Sequence, residues 1–397
     1  MSTDPATQKL EQLLRPSSPS EFLERLTEGR IIHIQGEADF ERTKLLSDDP
    51  TELLIANWAM LADKIGFHAV TPSGPPPGTG PAAGQEDFRG RIRLFHDRGY
   101  SVRFPDLRPF SPALDLMARA LESRVLQPVT AAAFWSKGGL RAPVHFDDRD
   151  IIAVQLLGEK DWEVSSAPSP LRTNQMIMPD EAVTAVPEPV SIRMRAGDVL
   201  YVPRGLAHTV DGQIESLHIS FMFHPVTLRD ALVAAIDELT TVDRTFREAI
   251  GGDLRTQLAN VDARDRVPSI LEAVTRLRDS ASSAEFLQAS LRKRSGRAIR
   301  GMDPLPAVPQ PKIGLDTHLK QNETALCVLV PGERVIELNY PGGKIYVHRG
   351  VQEALTFMVE QPVFRVRDVP GNLPGDVLLA LADKLLGIGQ LEIAGQA

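Results

Sequence analysis

The sequence predicts a mainly β protein with added helices: a sandwich or jelly-roll core, then a helical segment, then a smaller α/β module. Three observations carry this. Short β-runs alternate with turn residues from Arg91 to Phe223; apolar residues fall at helical spacing beyond His224; and a proline-rich stretch, Met302 to Gly314, separates that segment from the C-terminal module.

In chain order, a polar leader precedes SPSEFLERL, read as a short helix with Ser20 as its N-cap and Phe22, Leu23 and Leu26 on its apolar face. RIIHIQG, Arg30 to Gly36, reads as a strand. Thr71 to Asp87 is too dense in proline and glycine for regular structure and is expected to be a mobile surface loop near a site. The β-runs that follow are GYSVRF, VTAAAFW, DIIAVQLL, KDWEVS, VSIRM, DVLYVP and ESLHISFMF, interrupted by one helix near Ser111 to Ser123. Leu228, Leu232, Ile236 and Leu239 then mark an amphipathic helix. In the last module TALCVLV and KIYVHRG precede a helix, a short element, a second helix and a terminal strand, an order that resembles a winged helix. The expected organisation is a core domain over residues 1–226, a helical segment over 227–300, a linker over 301–314 and the winged-helix-like module over 315–397.

Composition narrows the function. A chain of 397 residues that is 42% hydrophobic can bury a substantial core, and a formal net charge of −8 argues against a nucleic-acid binder. The one cysteine, Cys327, excludes an intramolecular disulfide and a thiolate zinc cluster. No apolar run reaches the length needed to cross a bilayer, and the N-terminal residues lack the apolar stretch of an export signal. A soluble, cytoplasmic protein is expected.

The chemistry-bearing segment is PVHFDDRDIIAVQLLGEKDW. His145 and Asp147 stand two residues apart at what reads as the start of a strand, so both side chains share one face. His208, after the Pro203 to Gly205 turn of GDVLYVPRGLAH, offers a third ligand. Two imidazoles and a carboxylate on one face of a metal form the facial triad of non-haem Fe(II) oxygenases, with open positions opposite. Taken alone, His-x-Asp also fits a hydrogen-bonded pair at a strand end.

PVHFDDRDIIAVQLLGEKDWEV, GDVLYVPRGLAHTV and ESLHISF, in that order and spacing, resemble the Jumonji C (cupin-like) oxygenases, and within them the ribosomal-oxygenase branch. The resemblance implies a double-stranded β-helix core, Fe(II) held by His145, Asp147 and His208, and 2-oxoglutarate and O₂ as co-substrates. It places Lys160, fifteen residues after the first ligand, against the distal carboxylate of 2-oxoglutarate; without it, Lys160 reads as a hairpin lysine at the surface. His218 reads as a packed or hydrogen-bonding neighbour of the site. Ala131 falls near a position where relatives carry asparagine, and Ser136 or Lys137 is expected to substitute. Asp148 and Asp150 fit either the substrate entrance or a solvated strand edge, and Trp162 reads as core.

The implied function is hydroxylation of a side chain, with a lean to histidine, in a ribosomal protein or in the ribosomally made precursor peptide of a natural product. N-methyl-lysine demethylation and a catalytically silent binding module are the alternatives. Residues 227–300 match the position where relatives dimerise, so a homodimer is expected. The C-terminal module, with basic and acidic residues interspersed, is expected to serve structure or protein contact.

Overall fold

The computed structural model describes residues 5–37, 40–56, 65–68, 88–125, 127–167, 185–248, 267–302, 304, 312–322 and 325–395. The expected loop of residues 71–87 and most of the proline-rich stretch lie outside them. Two compact units divide the chain, residues 1–225 and 226–397.

The first unit opens with α1 (Pro5–Leu14) and α2 (Pro19–Thr27). The helix α1 lies where a polar leader was read; Leu10, Leu13 and Leu14, at i, i+3 and i+4, are fully buried and account for it. Ser18, rather than Ser20, caps α2: its hydroxyl accepts from the Glu21 N–H at 3.2 Å. Pro19 decides this, because proline has no N–H and suits the first helical position, leaving the residue before it as the cap. After β1 (Ile32–Ile34) come α3 (Pro50–Ala56), β2 (Gly66–His68), α4 (Phe88–Asp97), β3 (Ser101–Phe104) and α5 (Pro112–Val125).

The strands β4 (Thr130–Ser136), β5 (Leu140–Arg141), β6 (Asp150–Leu157), β7 (Glu159–Ser165), β8 (Pro189–Arg195), β9 (Val199–Val202), β10 (His208–Gly212) and β11 (Ser216–Phe223) complete two facing sheets. The larger runs β1-β9-β6-β11-β4-β3-β2 and the smaller β5-β10-β7-β8, with every pairing antiparallel. This is the double-stranded β-helix that the sequence predicts, a jelly roll with helices against one face.

Period 2 divides β6 between two cores. Ile152, Val154 and Leu156 pack with Leu114, Leu121 and the apolar residues of α1. Ile151 and Ala153 instead meet Trp162, Val164, Ile192 and Met194 of the opposite sheet. DIIAVQLL therefore reads as a continuous apolar run because both faces are covered. In β4 and β11, Ala131, Ala133 and Trp135, with Leu217, Ile219 and Phe221, face the helices. Phe134, Ser136, His218 and Ser220 face the other way, into the jelly roll.

The second unit holds α6 (Leu228–Val242), α7 (Val267–Ala281) and α8 (Ala284–Arg300), then β12 (His318–Gln321), β13 (Val328–Pro331), β14 (Val335–Tyr340), β15 (Gly343–His348), α9 (Gln352–Glu360), β16 (Val363–Arg365), α10 (Gly375–Gly387) and β17 (Leu391–Ile393). Thr227 and Asp230 form a reciprocal capping box at the start of α6. The sheets are β16-β12-β17 and β13-β14-β15. The helix–strand–helix–strand order of α9, β16, α10 and β17 follows the sequence reading, and β12 and β14 add to it. The helical segment and the C-terminal module, read as separate, lie in this one unit: Arg300 donates to Glu337 at 2.8 Å and to Asn339 at 3.1 Å.

Candidate metal and co-substrate site

A cavity of about 370 Å³ opens between the two sheets of the first unit. His145, Asp147 and His208 share its wall, with one ligand atom from each within 4.8 Å of the others. His208 begins β10. His145 is not in a strand proper, as read from sequence, but in the segment between β5 and β6, held by a single antiparallel bridge to His208. The bridge has two bonds, His145 N–H to the His208 carbonyl at 3.0 Å and the reverse at 2.7 Å. The Gly205 N–H donates to the Asp147 carbonyl at 2.8 Å. The turn that carries His208 thus also fixes the backbone of the other two residues.

The ring nitrogens are sorted by their second partners. His145 Nδ1 lies 2.8 Å from the Pro143 carbonyl and His208 Nδ1 lies 3.0 Å from that of Leu206. A carbonyl only accepts, so each neutral ring carries its proton on Nδ1 and presents a bare Nε2. His208 Nε2 lies 3.5 Å from Asp147 Oδ2. Burial first, and His145 second, push the His208 pKa down to about 4, so that ring is neutral near pH 7. Two imidazoles and a carboxylate fit a divalent ion with open positions.

Away from the triad, Lys160, the second residue of β7, is 4% exposed. Gly158, at φ +65°, makes the turn that reverses the chain just before it. The Lys160 Nζ lies 3.0 Å from His218 Nδ1 and 3.3 Å from Ser136 Oγ, and Ser136 donates to Ser101 Oγ at 2.9 Å. Burial lowers the Lys160 pKa to about 7 and, aided by Lys160, holds His218 well below its ordinary value. No acid pairs with Lys160 among the described residues. Trp162 stacks on His208 at 5.8 Å and meets His218 edge-on at 5.6 Å, and its buried Nε1 has no acceptor. A buried amine without a counter-ion, in one cavity with an orphaned N–H, suits an anionic ligand there.

Several sequence readings change. The Ala131 side chain faces the helices, not the cavity, because the strand alternates; the inward residue of that part of β4 is Phe134. Lys137 is exposed and pairs with Asp97 at 3.4 Å, outside the site. Asp150 is 4% exposed and accepts from the Arg204 N–H at 2.8 Å, bracing the turn before His208 rather than facing an entrance. Arg103 and Ser101 line the cavity and escaped the sequence reading, since alternation in SVRF shows two faces without telling which one the cavity occupies.

The fold and the site together define a double-stranded β-helix protein with two histidines and one carboxylate placed where they could hold a metal ion. Residues 108–231 match the family model described as JmjC domain. The chain is 24% identical over 187 residues to bovine (Bos taurus) ribosomal oxygenase 2, a match covering 45% of this chain and 40% of that protein. It is 27% identical over 134 residues to the Dictyostelium discoideum "Bifunctional lysine-specific demethylase and histidyl-hydroxylase NO66", covering 32% and 25%. The chain thus spans about 40% or less of the length of these relatives. In fold it is similar to YcfD, a ribosomal oxygenase from Escherichia coli solved in complex with cobalt and 2-oxoglutarate. The TM-score is 0.54 at 16% identity, covering 96% of this chain and 99% of that one.

Proposed function

We propose that this protein is an Fe(II)- and 2-oxoglutarate-dependent oxygenase that hydroxylates a side chain of a protein or peptide. One observation carries the reading: the His145, Asp147 and His208 side chains share a cavity with Lys160, a buried amine with no counter-ion among the described residues. Iron(II), 2-oxoglutarate and O₂ together supply the oxidising power, with succinate and CO₂ formed as the target C–H bond is hydroxylated. His145, Asp147 and His208 would hold the ion and leave its other side open. Lys160, oriented by His218 and Ser136, would pair with the distal carboxylate of the co-substrate. An ammonium has no lone pair to offer, so His218 accepts through Nδ1 and keeps its own proton on Nε2. The apolar walls, among them Phe134, Trp162 and Met222, keep water from the reacting centre.

A protein or peptide target follows from the ribosomal-oxygenase relatives, and the lean to histidine rests on lysine at position 160. A ribosomally made precursor peptide is the variant of this reading. N-methyl-lysine demethylation is the second reading, favoured by the name of the Dictyostelium relative; formaldehyde release separates the two. A homodimer is part of the proposal. Leu228, Leu232 and Ile236 form an exposed apolar stripe on α6, as do Ile270, Leu271 and Val274 on α7. Among the described residues no helix is long and apolar enough to cross a membrane, and the proposed location is the cytoplasm.

The deciding test adds Fe(II) and 2-oxoglutarate to apo-protein without oxygen and looks for the visible charge-transfer band of the chelate. Wild type should show it and His145→Ala should not. Stoichiometric metal without a band in wild type would favour a silent binding module instead.

A further inference from the structure

Lys160 is not the only cation in the cavity. Arg103, on β3, lines the same space and is half-buried, and its guanidinium has neither a hydrogen bond nor an ion pair among the described residues. The guanidinium lies over the Phe134 ring, whose centre is 5.8 Å from Cζ. The sheet register explains why the two cations serve different groups. Arg103 pairs with Phe134, and Phe134 pairs with His218, so the phenyl ring stands between Arg103 and the residue that holds Lys160. Phe134 and His218 stack at 5.0 Å with 10° between their planes, closing that partition. The charges that act on Arg103 are Arg149 and Asp147, and Asp147 is committed to the metal-ligand set. Arg149, which pairs with Asp148 at 3.8 Å, is a second cation near enough to act on Arg103.

Charge balance makes Arg103 the unmatched group. In the reading above, one 2-oxoglutarate dianion uses the ion and Lys160, leaving a guanidinium in the cavity wall beside the triad. A guanidinium offers a planar fork of donors that matches a carboxylate. A half-buried guanidinium has also lost part of its hydration and lacks a protein partner to replace it.

We propose that Arg103 is a specificity residue that binds a carboxylate of the primary substrate, so that the segment entering the cavity carries an aspartate or glutamate at or beside the residue modified. This rests on the oxygenase reading. It selects against basic segments through the repulsion of Arg103 and Arg149, and against amide isosteres through the lost charge.

The test uses the full chain loaded with Co(II) and 2-oxoglutarate under nitrogen. The probes are pools of short random peptides with the central residue fixed as Asp, Glu, Asn, Gln or Lys. Wild type should retain the Asp or Glu pool about tenfold better than the matching amide pool, the effect of one charge-assisted pair. Arg103→Gln should erase that preference, Arg103→Lys should restore part of it, and Arg103→Glu should shift it to the Lys pool. A 2-oxoglutarate titration of each variant separates the sources of carboxylate. If Arg103→Gln raises the 2-oxoglutarate requirement and leaves the pool preference unchanged, Arg103 serves the co-substrate and the proposal is overturned. Equal retention of acidic and amide pools by wild type that binds 2-oxoglutarate overturns this proposal alone. Failure of wild type to take up 2-oxoglutarate overturns the oxygenase reading and this proposal together. Because charge reversal must redirect the preference rather than merely abolish it, a folding defect cannot imitate the expected result.

Discussion

At the scale of single residues, Lys160 sets a pH dependence with a definite sign. Burial holds its pKa to about 7, well below the ordinary lysine value of 10.5. Between those two values the unfolded chain binds a proton that the ligand-free folded chain does not, so apo-protein stability should rise as pH increases from about 7 towards 10.5. Co-substrate binding runs the other way, since the carboxylate pairs with the ammonium. Its apparent Kd should be flat below about pH 7 and rise about tenfold per unit above it. Calorimetric titration of 2-oxoglutarate into the Co(II)-loaded protein from pH 6 to 9 checks both the bend and its position. Lys160→Met, which keeps the volume and removes the charge, should flatten the profile and weaken binding by about 100-fold.

At the scale of elements, the turns into β7 and β10 decide whether the site forms. Gly158 turns the chain into β7, and a Cβ there would collide with the carbonyl oxygen of Glu215 at a positive φ that L side chains rarely adopt. Gly158→Ala should cost about 2 kcal/mol or more in urea unfolding. It should also displace Lys160, so that 2-oxoglutarate affinity falls more than Co(II) affinity. The turn from Pro203 to Leu206 is braced differently. Asp150 accepts from the Arg204 N–H, and the Gly205 N–H holds the Asp147 carbonyl. Asp150→Ala leaves the part-buried Arg204 N–H without its acceptor and should cost about 1–2 kcal/mol. Since that turn positions His208 and the Asp147 backbone, metal affinity should fall about 10-fold or more, read by Co(II) titration.

At the scale of the whole molecule, the exposed stripes on α6 and α7 predict association. Leu228 is 86% exposed and Leu271 58%, at positions where an isolated helix pair gains nothing by being apolar. Light scattering coupled to size exclusion should give a dimer mass for wild type and a monomer mass for Leu228→Asp combined with Leu271→Asp. The double variant should keep its 2-oxoglutarate titration, because every residue lining the cavity lies between Ser101 and Met222 in the first compact unit. A monomeric wild type would remove the dimer from the proposal.

The sequence by itself determined the β-runs and the chemistry on them. DIIAVQLL became β6 residue for residue, and His145, Asp147 and His208 were legible because metal ligation demands particular donors within short, turn-bounded segments. The first helix was missed, read as a polar leader because its polar residues masked the spacing of Leu10, Leu13 and Leu14. What only the tertiary structure decided was which face of each strand looks inward. Alternation in TAAAFWS and SVRF defines two faces but leaves open which is covered by helices, so Ala131 and Lys137 were placed at a site they do not reach while Arg103 was passed over. Lys160 shows the same limit: a lysine after a glycine turn is a surface residue or a buried cation depending on whether another sheet covers it. Burial and partnership across distant strands are properties of the closed jelly roll, and no local spacing in the chain carries them.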